Sequence, residues 1–167
     1  GVSRFLGELS EDYEKESVGF KIHFGEDGND TFINPRLLKH IPLFFTNPAF
    51  IECNVLYKGS RTVRKNHERV ARKHGFDFIP VDILDGEDGG DYIEVQLGLD
   101  KTDKALLGAG LERYNVVVGL SHFKGHMGSG FGGTLKNIGM GLGCRRGKLD
   151  MHSIVSPKVK EESCIAC

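Results

Sequence analysis

Two groups of residues in this 167-residue chain carry side chains suited to chemistry, and both lie in its C-terminal half. The first is Cys164-Ile165-Ala166-Cys167, which closes the sequence. Thiolates at i and i+3 reach one metal, and this spacing is the opening half of the bacterial ferredoxin run C-x₂-C-x₂-C-x₃-C-P. A four-iron cluster takes four thiolates, so the remaining ligands belong to a continuation of the chain, to another chain, or to nothing. The second group is the segment 121–148, which holds nine glycines together with His122, Lys124, His126, Lys136, Asn137, Cys144, Arg146 and Lys148, with His152 just beyond.

Three kinds of chemistry compete for that glycine-rich block. His122 and His126 stand four apart, which on a helix places both on one face, where a metal such as zinc takes imidazole ligands, with Cys144 and His152 to complete a set. Gly125 between them favours a loop, in which the two histidines serve as proton donors beside Lys124 or as loop contacts. The second reading is a small anionic ligand. Gly128, Gly130 and Gly133 match G-x-G-x-x-G by letter, although they do not directly follow a strand. Glycine-rich backbone that leads into a helix exposes N–H groups that bind anions. Gly130, Gly132 and Gly133 would supply that backbone, Lys124, Lys136, Arg145, Arg146 and Lys148 the charge, and Asn137 a hydrogen bond. In the third reading the block packs against a further domain, because glycines permit close backbone approach.

These residues need a scaffold, and the pattern before them supplies one. Residues 8–16 read as a solvated helix end and 17–24 (SVGFKIHF) as a strand. Asn34-Pro35 opens a short helix, which Pro42 and Pro48 punctuate. Residues 50–56 read as a second strand, 63–74 as a helix stopped at Gly75, and 79–84 as a third strand. Residues 85–91 form an acidic glycine turn without the spacing of a calcium loop. Residues 92–97 alternate like a half-exposed strand, 101–110 read as a helix, and 114–120 form a buried strand by their continuous apolar run. Residues 134–140 open a helix after Gly132-Gly133, and 149–167 form an exposed linker to the cysteine pair. Strands alternating with helices predict an α/β domain with a mixed or largely parallel sheet flanked by helices, over residues 1–155, followed at 156–167 by the start of a ferredoxin-type motif. In such a sheet, ligands bind beyond the carboxyl ends of the strands, which is where the glycine block begins.

Composition excludes several classes. The net charge of −1 gives no electrostatic footprint for nucleic acid. The basic stretch Lys58, Arg61, Arg64, Lys65, Arg69, Arg72 and Lys73 reads as a solvated helix face, since the aromatics that stack on bases are not interleaved with it. No apolar run is long enough to span a membrane, and no signal peptide stands out. Four cysteines without signs of secretion are expected to be reduced, in a cytoplasmic setting, with Cys53 a small buried hydrophobe.

The motifs resemble the family called domain of unknown function 362. The likeness is carried by residues 21–26 (KIHFGE), 54–61 (NVLYKGSR), His67 and 74–76 (HGF), and most strongly by 120–126 (LSHFKGH), 130–133 (GFGG), 135–137 (LKN), 139–141 (GMG), Cys144, 146–148 (RGK) and His152. It runs on through 156–158 (SPK) to the final cysteine pair. The chain differs from the family pattern in its short opening before the Lys21 strand and in the proline-bearing stretch 41–51. Members of this family are similar in often carrying a ferredoxin-type domain with four-iron clusters directly afterwards. The resemblance therefore implies an iron–sulfur-associated redox protein, an electron carrier or an oxidoreductase domain. Cys164 and Cys167 would begin the 4Fe-4S site, completed in a longer form of the chain, and the partner would be that ferredoxin domain or another electron-transfer protein. The alternative is a non-redox metal- or anion-binding module, or a scaffold that presents a ferredoxin domain.

Overall fold

A computed structural model describes residues 1–100, 102–128, 130–153 and 160–163. The chain opens with α1 (Val2–Tyr13) and β1 (Ser17–Ile22), then passes through two 3-10 turns, Pro35–Leu38 and Ile41–Leu43, to β2 (Asn47–Glu52). Helix α2 (Arg64–Lys73) and strand β3 (Val81–Ile83) follow. A hairpin of β4 (Tyr92–Leu99) and β5 (Thr102–Gly108) leads through a 3-10 turn, Ala109–Arg113, to β6 (Val116–Leu120). The glycine block folds as β7 (Lys124–His126), β8 (Gly130–Gly132), α3 (Thr134–Gly139) and α4 (Arg145–His152), with a last 3-10 turn at Glu161–Ser163.

The central sheet has the order β3-β2-β1-β6, and each of its pairings is parallel. Parallel strands are covered on both faces, and this sheet shows it. Phe20 stands level with Phe50 and Val118, and these belong to a core that also takes Leu6 of α1, Leu38 and Ile41 of the 3-10 turns, and Ala71 of α2. On the other face Ala49, Ile51 and Cys53 pack with Leu84 and Leu142, and Leu107 and Ile138 lie against them. The protein is thus an α/β domain built on a parallel sheet flanked by helices, and no described helix is long and apolar enough to cross a membrane.

Several local devices follow from particular residues. Asn34 caps the first 3-10 turn, its side chain accepting from Arg36 N–H at 3.0 Å, with Pro35 at the first position. Helix α2 ends in a Schellman turn: Gly75 N–H donates to Arg72 O and Phe76 N–H to Ala71 O, with Gly75 at φ +88°. The same turn delivers Phe76, which is edge-on to both Phe24 and Phe50, into the core.

Three sequence expectations need correction. Residues 102–108 are strand, not helix. Lys104, Ala105 and the two leucines favour a helix locally, but the ladder of β4 needs a partner, and tertiary pairing outweighs so weak a propensity. The second strand runs Asn47–Glu52 rather than 50–56, because at Asn54 the backbone leaves the ladder and its N–H donates to Asp85 Oδ1 at 2.9 Å. Arg61, read as part of a solvated basic face, is 2% exposed and among the largest fully buried side chains.

The edge-to-face phenylalanines carry much of the first core, so Phe50→Ala should destabilise the fold by about 3–5 kcal/mol. A urea titration with an unchanged slope and a lowered midpoint checks this.

Candidate functional site

The sequence order of the sheet strands reverses at β1: the chain moves outward to β2 and β3, then returns to place β6 on the other side. A crevice therefore opens beyond the carboxyl ends of β1 and β6, the usual ligand position in an open α/β sheet. It is about 220 Å³ in volume. The strand ends deliver its first residues: Lys21 from β1, Glu52 as the last residue of β2, and Ser121 and His122 directly after β6.

Lys21 and Glu52 are buried charges inside strands. Lys21 Nζ stands 2.7 Å from Glu52 Oε1, with both side chains almost wholly enclosed. Its other partner is Asn137 of α3, whose Oδ1 accepts from Nζ at 2.8 Å. Asn137 Nδ2 lies 3.1 Å from Lys21 O, 3.0 Å from Leu120 O and 3.1 Å from Ser121 Oγ. One amide thus ties the ends of β1 and β6 together while holding the ammonium. Gly141 makes room for this arrangement, since a Cβ there would lie 2.6 Å from Lys21 Nζ and 1.9 Å from Asn137 O.

Arg61 enters from the loop after β2. Its Nη2 contacts Glu26 and lies 3.0 Å from His23 Nε2, and its Nη1 is 3.9 Å from Glu52 Oε2. That last separation is an ion pair without a hydrogen bond. Nε and Nη1 of this buried guanidinium have no hydrogen-bond partner among the described residues. Arg61 lines the crevice, and orphaned buried donors of this kind ask for an acceptor. Lys148 of α4 reaches in as well, donating to Asn54 O at 2.7 Å. Among the described residues, five cations line the crevice (Lys21, Arg61, Lys124, Lys136 and Lys148) against one carboxylate, Glu52.

The electrostatics follow from burial and pairing. Burial would raise the Glu52 carboxyl, but Lys21, His23, Lys148 and Arg61 overcome it and hold the group down to about 2. Burial lowers the Lys21 ammonium from its usual range while Glu52 opposes the shift. His23 keeps some solvent-accessible surface, but its ring is crowded by protein and repelled by Arg61, which lowers it to about 4. Burial takes His67, edge-on to Phe24 with neither ring nitrogen hydrogen-bonded among the described residues, to about 3.

The predicted site residues divide. His122, Lys124, Gly132, Gly133, Lys136, Asn137 and Lys148 line the crevice. His126 contacts the Lys136 ammonium at the crevice edge. Gly130 is in the hairpin that shapes the rim, at φ +76°. The glycine segment folds as that antiparallel hairpin of β7 and β8, and Gly132-Gly133 then lead into α3 with Gly133 at its N-cap, as expected. Arg146 is exposed on α4 and is not among the crevice residues. Cys144 is buried and caps α4, its Sγ accepting from Gly147 N–H at 3.3 Å. His152 Nδ1 lies 2.6 Å from Lys148 O, one turn back on the same helix. Among the described residues no three His, Cys, Asp or Glu side chains gather where they could hold a metal. Cys164 and Cys167 lie outside the described residues. Lys21, His23, Glu52 and Arg61 were not singled out as site residues by the sequence reading. The available signal was a charge within a strand that is apolar on either side, because such groups are almost never fully buried unless paired.

Two outcomes test this geometry. Glu52→Gln leaves the Lys21 ammonium buried without its counter-charge and should cost about 3–5 kcal/mol at neutral pH, read from the urea midpoint. His67 and His23 are held to about 3 and about 4 against an ordinary 6.5, so the unfolded chain binds more protons in that range. Their contribution is complete above about pH 6.5 and is lost as pH falls through those folded values. Stability should drop from pH 6.5 toward pH 4, and His67→Leu should flatten the fall.

No curated protein matches this chain, and no solved structure does. The family model described as domain of unknown function (DUF362) matches residues 18–163. The chain belongs to that family.

Proposed function

We propose that this chain is the ligand-binding α/β domain of an iron–sulfur-associated redox protein, and that its crevice holds a small anionic ligand. The supporting observation is Arg61: a guanidinium 2% exposed, with two unpartnered nitrogens, in a crevice where cations outnumber carboxylates five to one among the described residues. A bound anion would supply the missing acceptors, and charge-assisted bonds to guanidinium are the strong kind. Lys21 and Lys148 add fixed positive charge. Lys124 and Lys136 draw the ligand in, and His122 stands on the wall as a proton donor.

The redox part of the reading rests on the Cys164–Cys167 spacing and on the family resemblance. The two described thiols do not fit a cluster. Cys53 Sγ is buried and donates to Leu142 O at 3.3 Å, and burial pushes its thiol up, while Cys144 caps α4 from the core. The reading assigns the cluster to Cys164, Cys167 and further thiolates from a ferredoxin-type continuation or partner, and assigns no step in the crevice to it. A bound cluster would carry single electrons to or from the partner. Free buried thiols at Cys53 and Cys144 agree with a reducing, cytoplasmic setting.

Calorimetry with inorganic phosphate and acetate tests the anion reading. Binding to the wild-type chain is expected, and Arg61→Gln should weaken it at least about tenfold, the equivalent of roughly 1.4 kcal/mol. Unaltered affinity in a folded Arg61→Gln variant would sink the assignment. The redox reading is read separately. Iron, sulfide and visible absorbance should appear in a version extended past Cys167 and purified without oxygen, and zinc or no metal there would favour the non-redox module.

A further inference from the structure

The crevice cations are of two kinds. Lys21, Arg61 and Lys148 are enclosed, with side chains at the sheet ends and on α4, and they form a floor. Lys124 on β7 is exposed and Lys136 on α3 is half-buried, and they form a rim that solvent reaches. The two sets differ in what already satisfies them. On the floor, Glu52 stands 2.7 Å from Lys21, and Lys148 is satisfied by Asn54 O, which leaves Arg61 with open donor positions. At the rim no carboxylate lines the crevice among the described residues; Lys136 contacts His126, and partial burial, with the charge of Lys124, lowers its ammonium. The crevice is also lined by apolar side chains, Phe32, Val55 and Met140.

A single compact anion held at Arg61 leaves the rim lysines without a counter-charge among the described residues. Resting on the anion-binding reading above, we infer that the ligand class is a small dianion: two anionic groups joined by a short apolar body. One group accepts from one of the open donors of Arg61, Nε or Nη1, on the floor. The second lies between Lys124 and Lys136 and relieves their mutual repulsion. The body lies against Phe32, Val55 and Met140, where an unsaturated or aromatic spacer has the most to gain from contact with the ring. The crevice, at about 220 Å³, has room for such a molecule. His122 also lines the crevice.

The experiment is a calorimetric comparison of matched probes on the full chain: benzoate as the monoanion, isophthalate and terephthalate as rigid dianions, and succinate and glutarate as flexible ones. The inference expects at least one dianion to bind tenfold or more tighter than benzoate, with a preference among spacings. It further expects the double variant Lys124→Gln/Lys136→Gln, at solvent-reached positions that spare the core, to bring that dianion's affinity down to the level of benzoate. Equal affinity for benzoate and every dianion overturns the two-group inference and leaves the anion reading standing. A dianion preference that survives the double variant also overturns it, because the second group then sits elsewhere. Absence of binding by every anion, phosphate included, overturns both readings together.

Discussion

The ion pair between Lys21 and Glu52 is the contact on which the rest of the site depends. Each charge alone would be intolerable where it stands, at the end of a strand whose neighbours are apolar. Together they convert the carboxyl edge of the sheet into a polar platform without opening the core to water. The pair is net neutral, so it contributes little attraction of its own to an anion. Its effect is positional: Glu52 draws Lys21 and Arg61 toward one point, and Asn137 then uses Lys21 as an anchor for α3. Sheet, loop and glycine block are in this way registered to one another through a few polar atoms.

Asn137 shows how a glycine-rich segment becomes ordered. Residues 121–148 have few β-branched side chains and little apolar surface to bury, so hydrophobic packing alone would hold them weakly. The segment instead borrows order from the sheet through an amide that bridges the ends of β1 and β6. Glycines at 119 and 141 let α3 approach closely enough for that bridge to form, since a Cβ at 119 would lie 2.9 Å from Ile138 and Thr134. The hairpin of β7 and β8 then projects from this fixed base with Phe123 stacked over Phe131 at 5.8 Å. Loop chemistry here rests on a rigid scaffold, the usual division of labour in α/β proteins.

The outline of this fold was legible in the sequence where pattern and environment agree. The β-branched and aromatic pattern at 17–24 and the continuous apolar run at 114–120 are strands because both faces of a parallel sheet are covered, and Gly75 stops α2 because only a residue at home at positive φ completes its Schellman turn. The hairpin strand at 102–108 was not legible, because its leucines and alanine are equally good in a helix and its identity is set by the strand beside it. Half of the site was legible too. The cationic and glycine positions of 122–148 are consecutive in the chain, so they cluster in the sequence as they do in space. The other half is assembled from β1, β2 and the loop carrying Arg61, more than sixty residues away, and no local pattern joins those segments. Arg61 was misread for a related reason: within a run of lysines and arginines, nothing local separates the one that turns inward.

Gly141 carries a consequence of another sort. The space where its side chain would stand is taken by Asn137 O and by the ammonium of Lys21, so positions 21 and 141 are tied together even though 120 residues separate them. A methyl at 141 would have to displace both the α3 backbone at Asn137 and the Lys21 side chain, and losing Lys21 would leave Glu52 to face the core alone. A single change at any corner of this triangle disturbs the other two, so the buried pair and its glycine hold one another in place whatever the rim binds.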